Sequence, residues 1–166
     1  LFEDPYGNTF KNRKRHSPES VKLAKTIADE STVLLKNENQ LLPLDAKSLK
    51  SIAIIGPNAD QVQFGDYTWS RNNKDGVTPL QGIKNRVNKN TAIHYAKGCS
   101  LTSLDTSGIA EAVEAAKNSE VAVIFGGSAS AALARDYKSS TCGEGFDLND
   151  LNLTGAQSQL IREVYR

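Results

Sequence analysis

Val121-Ala122-Val123-Ile124-Phe125 is an unbroken apolar run that stops at Gly126-Gly127. A strand with one wet face alternates apolar and polar residues. A short run with no polar residue, ended by turn-formers, reads as a strand covered on both faces. Ile52-Ala53-Ile54-Ile55, ended by Gly56-Pro57, reads the same way, and Thr91-Ala92-Ile93-His94-Tyr95-Ala96 is a further candidate strand. Helical patterns lie around these runs. Ser17 is a good N-cap, Pro18 suits the first helical position and Glu19 favours the positive end of the dipole, so a helix is predicted over 18–36. Its apolar face is drawn by Val21, Ala24, Ala28 and Leu35 and widened by Leu23, Ile27 and Leu34. Asn37 to Leu44 reads as an irregular connection, with Pro43 blocking a helix. Thr78-Pro79 opens a second helix with Leu80, Ile83 and Val87 on one face. Thr106 or Ser107 opens a third with Ile109, Val113 and Ala116 inward, and a last one starts near Gly155 with Leu160, Ile161 and Val164 apolar. The order α-β-α-β-α-β-α predicts an α/β fold: a three-layer α/β/α sandwich on a mainly parallel sheet, with right-handed crossovers. The predicted spans are strands near 52–56, 92–96 and 121–126 and helices near 79–88, 107–118 and 155–165. A sequence that reaches its last residue inside a helix, after three clear strands, is expected to be a truncated part of a larger sheet.

The 166 residues carry 20 Lys+Arg against 19 Asp+Glu, a net charge of +1. That balance gives no electrostatic footprint for nucleic acid or an acidic membrane surface. Composition is ordinary for a globular domain at 39% hydrophobic and 23% charged, which argues against disorder of the whole chain. No stretch approaches the roughly 20 apolar residues of a membrane span, and the first residues lack the order of a signal peptide. The sequence contains no Met and begins at Leu1, which predicts a piece of a longer polypeptide. Residues 1–16, with the basic run Lys11-Asn12-Arg13-Lys14-Arg15-His16, read as a solvated linker. Cys99 and Cys142 are too few for a disulfide scaffold or a four-cysteine zinc site and are expected as free thiols.

In open α/β sheets ligands bind beyond the carboxyl ends of the strands. Those segments contain Gly56-Pro57-Asn58-Ala59-Asp60, then Asp66-Tyr67-Thr68-Trp69, and Gly126-Gly127-Ser128 leading to Thr141-Cys142-Gly143-Glu144-Gly145-Phe146-Asp147. The glycines make neither G-x-G-x-x-G nor a P-loop and read as tight turns. A Ser-His-Asp hydrolase lacks G-x-S-x-G, and its histidines would be His16 in a linker and His94 in a predicted strand. No spaced His/Cys cluster offers a metal site, and no cofactor is implied. What remains is Glu144 between two glycines, which strip away neighbouring bulk and can present the carboxylate to a ligand. Such a carboxylate could be a general acid/base or a solvated loop residue. Tyr67 and Trp69 could stack on a sugar or pack their loop against the sheet. The Arg135-Asp136-Tyr137 segment could orient a sugar or form a surface ion pair.

The motifs in their order resemble glycoside hydrolase family 3, the β-glucosidases, β-xylosidases and related enzymes. Leu1-Phe2-Glu3-Asp4-Pro5-Tyr6 is similar to the segment leaving that family's barrel domain. His16, Ala28 and Glu30-Ser31-Thr32-Val33-Leu34-Leu35-Lys36-Asn37-Glu38, then Leu41-Leu42-Pro43-Leu44, resemble the approach to its second domain. Ile52 to Asp60 resembles the first strand and turn of that domain. Gly65-Asp66-Tyr67, Thr78-Pro79-Leu80 with Gly82-Ile83, and Gly98-Cys99 follow in the family's order. Gly143-Glu144-Gly145-Phe146-Asp147 resembles the "GEG.D" loop, and Leu151, Leu153, Gly155 and Gln157 the "L.L.G.Q" helix start. The sequence departs at Leu148, where the family often has Arg, and at Thr154, where it often has Pro. The Cys142 to Leu148 stretch looks more like the β-xylosidase branch.

The resemblance implies that residues 1–16 are the linker from a missing (β/α) barrel domain and that 17–166 are the N-terminal part of a six-stranded α/β sandwich domain. It implies part of a retaining, exo-acting β-glycosidase working on β-linked oligosaccharides or glycosides, periplasmic or extracellular. Retaining enzymes hold two carboxyl groups roughly 5–5.5 Å apart. Glu144 would be the acid/base. The nucleophile would be an Asp of the barrel, absent from this chain, so the isolated chain is expected to be inactive. Asp66, Tyr67, Trp69, Arg135 and Asp136 are the expected substrate contacts, and the segment from about Ala129 to Asp147 is expected to be mobile without the barrel. Two other classes stay open: a noncatalytic carbohydrate-binding or interaction module, and a nucleotide-binding regulator.

Overall fold

The computed structural model describes residues 3, 16–65, 67, 76–130, 140–145 and 147–166. The chain divides into two compact units, residues 1–43 and 44–166.

In the first unit, α1 spans Pro18–Ser31. The Ser17 hydroxyl accepts from the Ser20 amide at 3.2 Å and Pro18 occupies the first turn, as the sequence predicts. The helix stops five residues short of the expected 36. The Ser31 and Thr32 hydroxyls both donate back to the Ala28 carbonyl, at 3.0 and 3.1 Å, and Thr32 turns extended. Side-chain donors of this kind compete with the helix ladder. None of the α1 residues is buried, so the apolar face of Val21, Leu23 and Ile27 stays exposed. Within its own unit, the described residues offer only a short 3₁₀ turn, Glu38–Gln40, to pack against it.

The second unit holds the sheet: β1 (Ser51–Ile55), β2 (Ala92–Ala96) and β3 (Val121–Ile124), with α2 (Pro79–Arg86), α3 (Ile109–Lys117) and α4 (Gln157–Tyr165). The strand order is β2-β1-β3 and both pairings are parallel. Ile52 lies beside Ile93 and Val121, and Ile55 beside Ala96 and Ile124. At the amino end the register is fixed by a reciprocal clasp. The Lys50 amide donates to the Glu120 carboxylate at 2.9 Å, and the Glu120 amide donates to the Ser51 hydroxyl at 3.0 Å.

β1 is the central strand, and the uniform apolarity of its sequence follows from that place. Ile52 and Ile54 point to one face with Ala59 and Leu80, while Ala53 and Ile55 point to the other with Ile109, Ala112 and Leu160. So α2 covers one face and α3 and α4 the other. The chain moves from β1 outward to β2, then back across β1 to β3. Two crossovers of the same hand running in opposite directions must lie on opposite faces, and α2 and α3 do. The expected three-layer α/β/α arrangement is therefore present, on a sheet of three strands among the described residues.

The helix boundaries shift for local reasons. α3 begins at Ile109 rather than at 107, because the Asp105 carboxylate takes the Ser107 amide at 2.9 Å and holds a turn there. α4 buries Leu160 and, unexpectedly, Gln157, while Ile161 faces out. α2 is capped as predicted: the Thr78 hydroxyl accepts from the Gln81 amide at 3.2 Å and donates to Asp60 at 2.8 Å. Replacing Thr78 by Ala removes both bonds from an exposed site. It is expected to lower unfolding free energy by about 1 kcal/mol, measured as a urea midpoint shift at constant slope. Unchanged stability would mean the cap carries no load.

Candidate functional site

The carboxyl ends of the strands lead into loops that share a rim. β1 runs into Gly56, whose φ of +116° lies where only glycine is comfortable. A Cβ there would strike the Phe125 carbonyl oxygen. The Gly56 amide donates to Ala96 at 3.1 Å, the Phe125 amide donates to Ile55 at 2.7 Å, and the Asn58 amide donates to the Phe125 carbonyl at 3.1 Å. The ends of all three strands are thus stitched around one glycine.

Beyond this seam, a cavity of about 300 Å³ opens between the loops. Pro57, Gln61 and Gln63 line it after β1, Lys97 and Thr102 after β2, and Ser130 after β3. Its size is at the lower end of small-ligand pockets. The Ser130 hydroxyl is buried with no hydrogen-bond partner among the described residues.

Gln157, 1% exposed, ties three of these segments together. Its side-chain oxygen accepts from the Gly127 amide at 2.8 Å. Its nitrogen lies 3.0 Å from the Gly127 carbonyl, 3.1 Å from the Thr154 carbonyl and 3.3 Å from the Leu101 carbonyl. Thr154 joins in, its hydroxyl donating to Leu101 at 2.6 Å. A proline at this position would make no such bond, so the departure of Thr154 from the family pattern has a local use. The sequence singled out Gln157 only as part of a motif; a lone Gln on the inward face of an apolar helix was the available signal for its burial.

The loop after β3 returns through a second tie. Thr141 is buried, its amide donates to the Ala129 carbonyl at 2.8 Å, and its hydroxyl accepts from the Ala129 amide at 3.0 Å. Ser130 and Cys142 form a parallel bridge beside it. The base of the segment expected to be mobile is therefore held within the chain. Three residues past Thr141, Glu144 is exposed, and Gly145 follows at φ +80° with open space where a Cβ would be.

Of the other expected contacts, Tyr67 is 81% exposed. Asp66, Trp69, Arg135 and Asp136 lie outside the described residues, and so does Tyr137. His94 sits half-buried in β2. Both cysteines are free. Cys99 is packed under α3 and α4, and burial pushes its thiol up. Among the described residues no group of His, Cys, Asp and Glu could hold a metal ion, and no helix is long and apolar enough to cross a membrane.

Residues 32–166 match the model of the glycosyl hydrolase family 3 C-terminal domain. The chain belongs to glycoside hydrolase family 3. A β-xylosidase of Formosa agariphila is 38% identical over 154 residues, covering 89% of this chain and 20% of that protein. A periplasmic β-glucosidase of Salmonella typhimurium is 38% identical over 112 residues, covering 61% of this chain and 14% of that protein. Among solved structures, a GH3 exo-β-xylosidase in complex with a xylobiose aziridine activity-based probe superposes with a TM-score of 0.70 at 30% identity. That match covers 88% of this chain and 17% of the other. The family 3 chain thus spans about a fifth of the length of the β-xylosidase it resembles. The α/β architecture expected from the motifs is the family's.

Proposed function

We propose that this family 3 chain is part of a retaining, exo-acting β-glycosidase, a β-xylosidase or β-glucosidase, to which it contributes the acid/base carboxylate of Glu144. The observation that carries the reading is the presentation of Glu144: an exposed carboxylate between Gly143 and Gly145, beyond the carboxyl end of β3, on a loop whose base is tied to the sheet rim. A general acid must reach the leaving oxygen of a bound glycoside, and a glycine on either side adds no side-chain bulk to that approach. In such a mechanism a second carboxylate attacks the anomeric carbon. Glu144 protonates the departing oxygen, then takes a proton from the water that releases the sugar. The attacking carboxylate comes, in this proposal, from a barrel domain joined through residues 1–16, with residues 17–166 as the first part of the sandwich domain. Xylosides are favoured by the similarity to β-xylosidases over most of the chain, and a periplasmic or extracellular setting by the periplasmic relative. Tyr67, which is exposed, is offered as a sugar contact, together with Asp66, Trp69, Arg135 and Asp136.

The intact polypeptide is expected to hydrolyse an aryl β-xyloside or β-glucoside. The purified 166-residue chain is expected to give no turnover above background, because it lacks the nucleophile. Turnover by the chain alone would overturn the division of labour. Sugar binding without hydrolysis by the intact protein would favour a noncatalytic module.

A further inference from the structure

Glu144 can act only if it is delivered to one place, and the loop that carries it is long. From Gly127, the last residue held by Gln157, to Glu144 is a tether of about 17 residues. The tie at Thr141 changes this. Thr141 uses both backbone groups of Ala129: its amide donates to the carbonyl at 2.8 Å, and its hydroxyl accepts from the amide at 3.0 Å while lying 3.3 Å from the same carbonyl. The Cys142 amide adds a longer contact to that carbonyl at 3.4 Å. On this side the tether to Glu144 then runs from Thr141, about three residues with a reach of about 10 Å; on the other side the chain is held at Thr154, whose hydroxyl donates to Leu101 at 2.6 Å.

We propose that Thr141 is a positioning residue: its hydroxyl latches the loop onto Ala129 and so confines Glu144 to the reacting position. The inference rests on the acid/base reading of Glu144. Effective concentration falls roughly as the −3/2 power of tether length. Removing the hydroxyl leaves the Thr141 amide bond to the Ala129 carbonyl in place, so the tether is loosened rather than released and the carboxylate is diluted by about a few-fold. Valine matches threonine in shape but has no hydroxyl, so Thr141→Val leaves the Ala129 amide buried without a partner. Serine keeps the hydroxyl.

The test uses the intact enzyme, with rates normalised to titrated active sites. On xylobiose, whose leaving group needs protonation, Thr141→Val is expected to lose about three- to fivefold in kcat with little change in KM. On a dinitrophenyl β-xyloside the glycosylation step should be slowed much less, and added azide should accelerate turnover. Thr141→Ser should stay near wild type in all three measurements. Equal losses on both substrates without azide acceleration would mean that Thr141 only holds the fold, and would overturn the proposal. So would a Thr141→Ser enzyme as impaired as Thr141→Val, or failing where Thr141→Val does not fold. Glu144→Ala, measured alongside, separates the two readings. If it shows the leaving-group dependence and azide acceleration and Thr141→Val does not, the latch alone falls. If it shows neither, the acid/base reading falls and the latch with it.

Discussion

Replacing Glu144 by Ala in the intact enzyme is expected to lower hydrolysis of a β-linked disaccharide by about 10²–10⁴-fold, the usual contribution of a general acid. The loss should track the leaving group. A sugar departs as an alkoxide unless it is protonated, so a disaccharide should bear the full effect. A nitrophenolate leaves with little help, and formation of the glycosyl-enzyme from an activated aryl glycoside should be slowed far less. Release of the sugar still needs a base to draw a proton from water. Azide needs none. Its addition should restore turnover of the activated substrate and, with retention, yield the β-glycosyl azide. A solvated loop carboxylate would give none of these signatures. Near wild-type activity of the variant on a disaccharide would move the role to another carboxylate of the same region. Asp147, exposed three residues on, and Asp136 are the next candidates.

The largest effect on folding is expected at Gly56. Its φ of +116° is hostile to any residue with a Cβ, and the added carbon would meet backbone rather than a side chain that can swing aside. The obstacle is the Phe125 carbonyl oxygen, which already accepts from the Asn58 amide, while the Phe125 amide donates to Ile55 at 2.7 Å. Moving that carbonyl would open the carboxyl end of the β1–β3 pairing. Gly56→Ala is therefore expected to cost more than about 4 kcal/mol, in the range reserved for combined strain and broken buried bonds. Set against a total of about 5–15 kcal/mol for a domain, the variant should be largely insoluble or unfold at low urea. Gly65→Ala, where no atom lies within 4 Å of the new carbon, is the matched control. A Gly56→Ala chain with a wild-type urea midpoint would show that the rim can yield.

Much of this was legible in the residues. The apolar runs at 52–55 and 121–125 both announced strands, but only β1 is covered on both faces; β3, at the edge of the three, has no buried residue and leaves Ala122 exposed. Thr78 and Ser17 marked their helix starts because a cap is a local bond between residues a few positions apart. Three features were hidden because they join distant parts of the chain. The register clasp pairs Lys50 with Glu120, 70 residues on. The burial of Gln157 makes sense only once the Leu101 and Gly127 carbonyls lie beside it. The latch on Ala129 needs the chain to return after an excursion. α1 misled in the opposite way: its apolar stripe is clear in sequence, and its residues are nonetheless exposed, because periodicity tells which face is greasy and not what covers it. For the site, family motifs brought attention to Glu144 and its flanking glycines, while the tie that holds their loop left no recognisable pattern.

The position of β1 also sets an order of events at the ribosome. It is the first made of the three described strands and the middle one of their sheet, so both of its neighbours are translated after it. β3 is complete only at Ile124, and at about 5–20 residues per second the Ile52–Ile55 run waits on the order of several seconds before its second edge is paired. Until then one of its edges is unpaired, and a short, uncharged, β-branched edge is the kind that nascent chains pair with one another. Slower decoding between residues 56 and 124 would prolong the exposure, and crowded polysomes would make it more hazardous. Of the three described strands, the one most sheltered in the folded sheet is the one that waits longest for its last partner.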